Sequence, residues 1–227
     1  MPRSQSPSCI NFDDICQRID LMRHNGPVSE VATRRDAQRE QTRARLLDAA
    51  IVEFQRSGTQ AADINAIVKA AGVARSTFYF HFPTKEHVLL ELIHRDEVQL
   101  ANELGRFLDT RHDLPGVLTT IIELVLDLES RWGSALFHDV LSLYFSPNRP
   151  EREQWANHPI FVLLAAEIER SRIRGELYDD VDSYHSAAFF LLGVYALLTS
   201  TADVRGERDT TLKKFVTSTL RSMQPVG

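Results

Sequence analysis

The apolar residues of this chain recur with the spacing of an α-helix through most of its length. Between residues 34 and 58 they fall at intervals of three and four, while Arg and Glu fill the other faces: Leu47, Ala50, Ile51 and Phe54. This spacing puts the apolar side chains on one face and predicts a helix that packs against a core. Gly58 is predicted to end this helix, because glycine favours the position after the last helical turn.

Two short helices and a longer one are predicted next. The first covers residues 63–72, with Asp63 as its N-terminal cap and a glycine at its end. After a tight turn comes the second, ARSTFYFHF, over residues 74–82. The longer helix covers residues 85–108 and begins after Thr84, whose hydroxyl is predicted to cap it.

Helical patterns continue to the end of the chain, with prolines marking a loop over residues 146–158. They cover residues 116–132, 134–145, 158–175, 181–202 and 209–223. No run of alternating apolar and polar residues interrupts them, so no strand is expected. The sequence therefore predicts an all-α fold.

One of these helices is apolar enough to be compared with a membrane span. The stretch from Ser183 to Ala202 contains no Lys, Arg, Asp or Glu, but its apolar centre, Ala187 to Leu198, has only 12 residues. A bilayer requires about 20. We therefore predict a helix buried in protein, with no membrane as a partner.

Composition narrows the class of protein. Hydrophobic residues make up 43% of the 227 residues and charged residues 25%, which excludes disordered and collagen-like chains. The two cysteines, Cys9 and Cys16, fit neither a disulfide framework nor a paired zinc motif. With no apolar secretory segment at the N-terminus, these features predict a cytoplasmic protein.

The charge is unevenly distributed along the chain. The net charge is -5, yet residues 34–86 carry 9 basic and 6 acidic residues, whereas residues 87–227 carry 14 and 21. A locally basic segment can attract a phosphate backbone although the whole chain is acidic. Nucleic acid is therefore a candidate partner. Charge alone does not establish this, so the sequence motifs are needed to decide whether the protein binds nucleic acid.

The segment from Thr42 to Leu90 carries those motifs: an amphipathic helix, the IVKAAGV turn, RSTFYFHF and PTKEHVLL. It resembles the DNA-binding domain of the TetR family of transcriptional regulators. The resemblance implies a three-helix helix-turn-helix domain over residues 34–86, and a larger helical ligand-binding and dimerisation domain over residues 87–227. Residues 1–33, unlike the rest in composition, are predicted to be a poorly ordered extension.

The resemblance also implies which residues contact DNA. In a helix-turn-helix, the second short helix enters the major groove. Arg75, with its forked donors, and the hydroxyls of Ser76 and Thr77 are the candidates for base edges. Phosphate contacts are expected from the remaining candidates: Arg43, Tyr79, His81 and Lys85. A basic run, Arg34, Arg35, Arg39, Arg43 and Arg45, either touches the DNA backbone as an arm or is a solvated helix face.

A regulator of this family is implied to bind a small molecule in its second domain and to form a homodimer. Aromatic and polar side chains that suit a largely apolar ligand are Trp132, Phe137, His138, Tyr144, Trp155 and Phe161, although each also fits ordinary packing. The candidate dimer stripe is Phe161, Leu164, Ile168, Tyr184, Ala188, Leu191 and Tyr195. Periodicity cannot separate that stripe from a monomer core.

The predicted function is a homodimeric repressor that leaves a palindromic double-stranded DNA operator when a small-molecule effector binds. No cofactor and no catalysis are expected. One alternative is a metal-dependent enzyme, because His87, Glu91 and His94 share a helical face with ligand spacing, although a solvated face explains them too. Another is a dimeric small-molecule-binding protein without specific DNA binding.

Overall fold

The computed structural model describes residues 34–144, 158–200 and 205–224, and the secondary structure within these ranges is helical. The predicted extension, most of the predicted loop at 146–158, both cysteines and Trp155 lie outside them. The helices are α1 (Arg34–Ala61), α2 (Ile64–Ala71), α3 (Arg75–His81), α4 (Lys85–Leu108), α5 (Leu114–Trp132), α6 (Ser134–Tyr144), α7 (Pro159–Ile173), α8 (Ser183–Ser200) and α9 (Arg205–Met223). The all-α prediction is confirmed.

The first three helices pack around one small core. Their fully buried apolar side chains are Leu46, Ala50, Phe54, Ile67, Phe78 and Phe82. The predicted cap of α2 is confirmed, because the Asp63 carboxylate accepts the Asn65 N–H at 2.8 Å. Gly72 ends α2 in the left-handed conformation, with φ of 66°, and so sets the tight turn into α3. Thr84 occupies the N-cap position of α4, as predicted, but its hydroxyl lies 3.0 Å from Nδ1 of His87 and makes no cap hydrogen bond to a backbone amide.

The first helix differs from its prediction at Gly58. Helical structure continues to Ala61, but Gly58 has φ of 72° and ψ of 159°, which kinks α1 without ending it. Directly after the kink, the Thr59 N–H donates to the Asp139 carboxylate of α6 at 2.7 Å. A contact distant in sequence thus holds the last turn of α1.

The remaining helices form a second and larger core. Helix α7 is enclosed on all sides, since every residue from Phe161 to Ile168 is buried against α4, α5 and α8. Helix α8 packs on α7 and α9, and the Phe215 ring of α9 lies so close to Gly193 that a Cβ there would be 2.3 Å from it. None of the helices in the described ranges has the length and apolar character needed to cross a membrane.

Candidate DNA-binding surface

Helix α3 has one buried face and one exposed face. Phe78 and Phe82, four residues apart, point into the core, while Arg75, Ser76, Tyr79 and Phe80 are exposed and Thr77 is half-buried. Because the two anchoring rings share one face, Tyr79 and Phe80 between them point outward, while His81 is buried. The predicted base-edge candidates therefore lie on the surface of a short helix that a small core holds in place.

Arg75 is oriented by its neighbours without being buried. Its guanidinium donates to the Asn65 side-chain oxygen at 3.1 Å and to the Tyr79 hydroxyl at 3.4 Å. It also lies 5.8 Å from the centroid of the Tyr79 ring. These contacts use two of the three guanidinium nitrogens, and the hydrogen bond to Asn65 links α2 to α3. The side chain is therefore pre-positioned on an exposed surface.

Phe80 is an exposed residue that the sequence reasoning missed. Its side chain is 67% exposed, and the guanidinium of Arg39 from α1 lies 5.2 Å from the centroid of its ring. The signal was available in the sequence. A residue midway between two core positions four apart, such as Phe78 and Phe82, must point away from the core.

Two of the predicted phosphate contacts are engaged within the chain. Arg43 donates to the His81 carbonyl at 3.0 Å and to the Glu91 carboxylate at 2.6 Å, with its guanidinium 4.6 Å from the Phe82 ring centroid. Lys85 donates to the carbonyls of Thr59 and Gln60 at 3.0 and 2.8 Å, at the end of α1. Both cations tie α1 to later helices, and their contact with DNA stays a prediction.

His81 is also packed within the chain. Its ring is buried, and Nδ1 has no hydrogen-bond partner among the described residues. Burial lowers the pKa of His81, and the nearby charges of Arg43 and Arg39 lower it further. Both effects favour the neutral form of the ring, which packs in the core, and its contact with phosphate stays a prediction.

Two of the three residues behind the metal alternative have other partners. Glu91 accepts the hydrogen bond from Arg43, and Nδ1 of His87 lies 3.0 Å from the Thr84 hydroxyl. His94 is exposed one turn further along α4. The described part of the chain holds no group of three or more His, Cys, Asp or Glu side chains arranged to bind a metal ion.

The predicted ligand-binding residues that the structure describes are mainly packed in the core. Trp132 is buried, donates its Nε1–H to the Asp96 carboxylate at 2.7 Å and contacts Phe137, which is also buried. Phe161 packs edge-on against Tyr184 at 4.8 Å. His138 is half-buried, and its Nε2 has no partner among the described residues. The side chain of Tyr144, like Trp155, lies outside the described part.

A groove of about 470 Å³ lies elsewhere, between α5 and α9. Its lining includes the apolar side chains Ile122, Leu126, Leu212 and Val216, with the exposed charged residues Glu123, Asp209 and Lys213. None of the predicted ligand-binding residues belongs to this lining. The groove is nonetheless a largely apolar concavity of the size that small ligands occupy.

The predicted dimer stripe is largely internal to one chain. Four of its members, Phe161, Leu164, Ile168 and Leu191, are buried, and Tyr184, Ala188 and Tyr195 are half-buried against the same core. The buried members pack within one chain, and a dimer contact through this stripe stays a prediction. The stripe packs against the core of its own chain. The exposed apolar residues of α8 are instead Phe189, 66% exposed, and Leu192.

In the basic segment of this all-α protein, the short exposed helix α3 directly follows α2, which packs beside it. This arrangement is that of helix-turn-helix DNA-binding proteins. Comparison with known proteins agrees. The sequence model of bacterial regulatory proteins of the tetR family matches residues 46–92. The chain belongs to the TetR family and is a transcriptional regulator.

The similarity extends beyond the first three helices. The probable HTH-type transcriptional regulator ArpR of Pseudomonas putida is 28% identical over 192 residues, which is 77% of this chain and 89% of that protein. The FadR repressor of Thermus thermophilus, solved with lauroyl-CoA, has a TM-score of 0.62 at 25% identity and covers 79% of this chain and 91% of its own. SmeT, solved with triclosan, has a TM-score of 0.59 at 21% identity, and the match covers 82% of this chain and 93% of SmeT.

Proposed function

We propose that the protein is a homodimeric repressor that binds a palindromic operator through α2 and α3 and leaves it when a small, largely apolar ligand binds the second domain. In this proposal the DNA-binding domain covers residues 34–86 and the ligand-binding and dimerisation domain residues 87–227. The observation that carries it is the exposed face of α3, on which Arg75 is held by Asn65 and Tyr79. That face suits direct contact with base edges in a major groove.

The exposed stripe of α8 supports a homodimer. His185, Phe189, Leu192 and Ala196 recur at intervals of three and four along α8, and all four are exposed. Phe189 and Leu192 give the stripe its apolar centre. Large exposed apolar side chains grouped on one helix are typical of a protein interface, and two copies related by a twofold axis cover such a stripe with itself.

A ligand-responsive second domain is supported by the relatives and by the groove between α5 and α9. The FadR of Thermus thermophilus is a repressor whose structure contains lauroyl-CoA, and SmeT was solved with triclosan. The groove has an apolar floor with exposed charged side chains beside it. We propose a ligand with a substantial apolar part as the effector of this chain.

The two domains share elements that can transmit such binding. Helix α4 begins with Lys85 bound to the end of α1 and continues to Leu108, where it packs in the second core. Asp139 of α6 holds Thr59 at the kink of α1. A shift of α4 and α6 on ligand binding would change the spacing of the two recognition helices, which must match half-sites about 34–36 Å apart. Because coupling is reciprocal, operator weakens ligand binding by the same factor, typically about 5–150-fold.

The test is selection of duplexes from a random pool by the full chain, followed by fluorescence anisotropy on a selected palindromic duplex. We expect Arg75→Ala to weaken binding at least tenfold, since a bidentate base contact is worth about 1–3 kcal/mol. Arg106→Ala, an exposed arginine on α4 away from α3, is the matched control and should leave binding unchanged. Failure to select any duplex, or equal effects of the two variants, would refute the proposal.

The dimer and the ligand have separate tests. Sedimentation of the wild type should give twice the chain mass, and Phe189→Glu should give the chain mass, because a buried unpaired charge opposes association. Lauric acid and triclosan are suitable first probes for release of the selected duplex. If neither these nor other apolar compounds of similar size change the anisotropy, ligand release is wrong while DNA binding still stands.

A further inference from the structure

We propose that Phe80, with its ring held by Arg39, is a specificity residue that contacts the 5-methyl group of a thymine in the operator. This inference rests on the proposed DNA binding. It adds that one position of each operator half-site must be a thymine. The short helix α3 keeps Phe80 67% exposed, although the rings of Phe78 in the helix and Phe82 directly after it are fully buried.

The position of Phe80 on α3 brings it beside the polar candidates. It follows Ser76 by four residues and Thr77 by three, and residues at these spacings lie next to each other on a helix surface. The Ser76 hydroxyl and the Phe80 ring therefore lie beside each other on one exposed surface. Tyr79 and Arg75 occupy the neighbouring strip of the same helix and are linked to each other.

The orientation of the ring is fixed before any partner binds. The Arg39 guanidinium lies 5.2 Å from the centroid of the Phe80 ring, and the ring meets His81 edge-on at 5.2 Å with an interplanar angle of 83°. One face thus lies against a cation from α1 and the ring contacts His81, while the side chain remains 67% exposed. A side chain already held in one orientation loses less entropy on binding, which favours its use as an anchor.

The chemistry of the ring selects its target. Phenylalanine has no hydrogen-bond donor or acceptor, and the only apolar group that base pairs present in the major groove is the thymine 5-methyl group. A guanine or cytosine edge against the ring would leave a base donor or acceptor without a partner, which is unfavourable. Arg39 keeps a positive charge next to the ring, where a phosphate oxygen of the same strand can pair with it.

The experiment replaces each thymine of a wild-type-selected duplex, one position at a time, by deoxyuridine, which lacks only the methyl group. For the full-length wild type, we expect one thymine per half-site at which the substitution raises the dissociation constant about fourfold, as burial of one methyl group predicts. Substitution in both half-sites should give about sixteenfold. Phe80→Ala should bind more weakly and lose the deoxyuridine effect at that position only.

Two further variants separate the roles of neighbouring residues. Val98→Ala removes a similarly exposed apolar side chain from α4 and should keep the full deoxyuridine effect. Arg39→Ala should reduce that effect, because Arg39 acts as a positioning residue for the ring, and it should also lower the salt dependence of binding. A thermal scan of each variant checks folding, which Phe80→Ala should preserve because the side chain is exposed.

The outcomes are distinct. A deoxyuridine effect that is absent in the wild type, or that persists in Phe80→Ala, would overturn the inference while leaving sequence-specific DNA binding intact. If the wild type selects no duplex from the pool, the proposed function fails and the inference fails with it. A position-specific effect that disappears only in Phe80→Ala, and shrinks in Arg39→Ala, supports the thymine contact.

Discussion

The hydrogen bond between Thr59 and Asp139 should contribute strongly to stability where the end of α1 meets α6. The Thr59 N–H follows the kink at Gly58, where non-helical backbone angles interrupt α1, and donates to Oδ2 of Asp139 on α6 at 2.7 Å. Thr59 is buried, so water cannot readily replace the lost acceptor. The perturbation is Asp139→Ala, which removes that acceptor.

The structure gives the expected size of the effect. A hydrogen bond to a charged group contributes about 1.5–3 kcal/mol, and a buried donor left unsatisfied costs a similar amount, so Asp139→Ala should lower the free energy of unfolding by about 2–3 kcal/mol. Asp139→Asn keeps a neutral oxygen at the same place and should lose about half as much. The matched control is Asp127→Ala, since the Asp127 side chain is 65% exposed and pairs only with Arg131 on the same helix in the described structure. An exposed pair of this kind contributes about 0.3–0.5 kcal/mol.

Urea unfolding followed by circular dichroism measures these differences as shifts in midpoint at constant slope. Hydrogen exchange at the Thr59 amide provides a local readout, and its protection should fall in Asp139→Ala but not in Asp127→Ala. If Asp139→Ala and Asp127→Ala have equal stability, or if the Thr59 amide keeps its protection, the contact does not hold the kinked end of α1 and the reasoning is refuted.

Three further predictions follow from single contacts. Gly193→Ala should destabilise the protein by about 1–3 kcal/mol in thermal unfolding, because the new Cβ would lie 2.3 Å from the Phe215 ring. Adding Phe215→Leu to the same chain should recover part of the lost stability. Full stability of the Gly193→Ala variant would contradict this prediction. The pKa of Glu53 is lowered to about 2, mainly by its hydrogen bond from Arg56 and then by that from the Asp63 N–H. Its stabilising contribution is therefore present above pH 4.5 and lost as the pH falls towards 2, so Glu53→Gln should flatten the acid side of the stability curve, and an unchanged slope would contradict the pairing. Lys85→Ala should lower stability yet leave the salt dependence of DNA binding unchanged, whereas loss of a phosphate contact would reduce that slope by about 1.

Local pattern in the sequence was sufficient to predict the helices and the face that each of the first three turns toward the core. The cap at Asp63 and the left-handed end at Gly72 were predictable because both depend on residues within one turn of the chain. The exposure of Phe80 was equally implicit, since Phe78 and Phe82 fix the inward face of α3. Family membership followed from the same segment, because its motif lies within a continuous stretch matched at residues 46–92.

Tertiary structure decided what the charged residues do. Arg43 and Glu91 are separated by 48 residues and Lys85 and Thr59 by 26, so no local pattern could show that these cations are used inside the chain. It also decided which apolar stripes remain available. Periodicity states that a face is apolar, but only packing shows that Phe161 is covered by its own chain and that Phe189 is not. The physical reason is that helix formation depends on neighbours three and four residues apart, whereas burial and ion pairing depend on which helices meet in space.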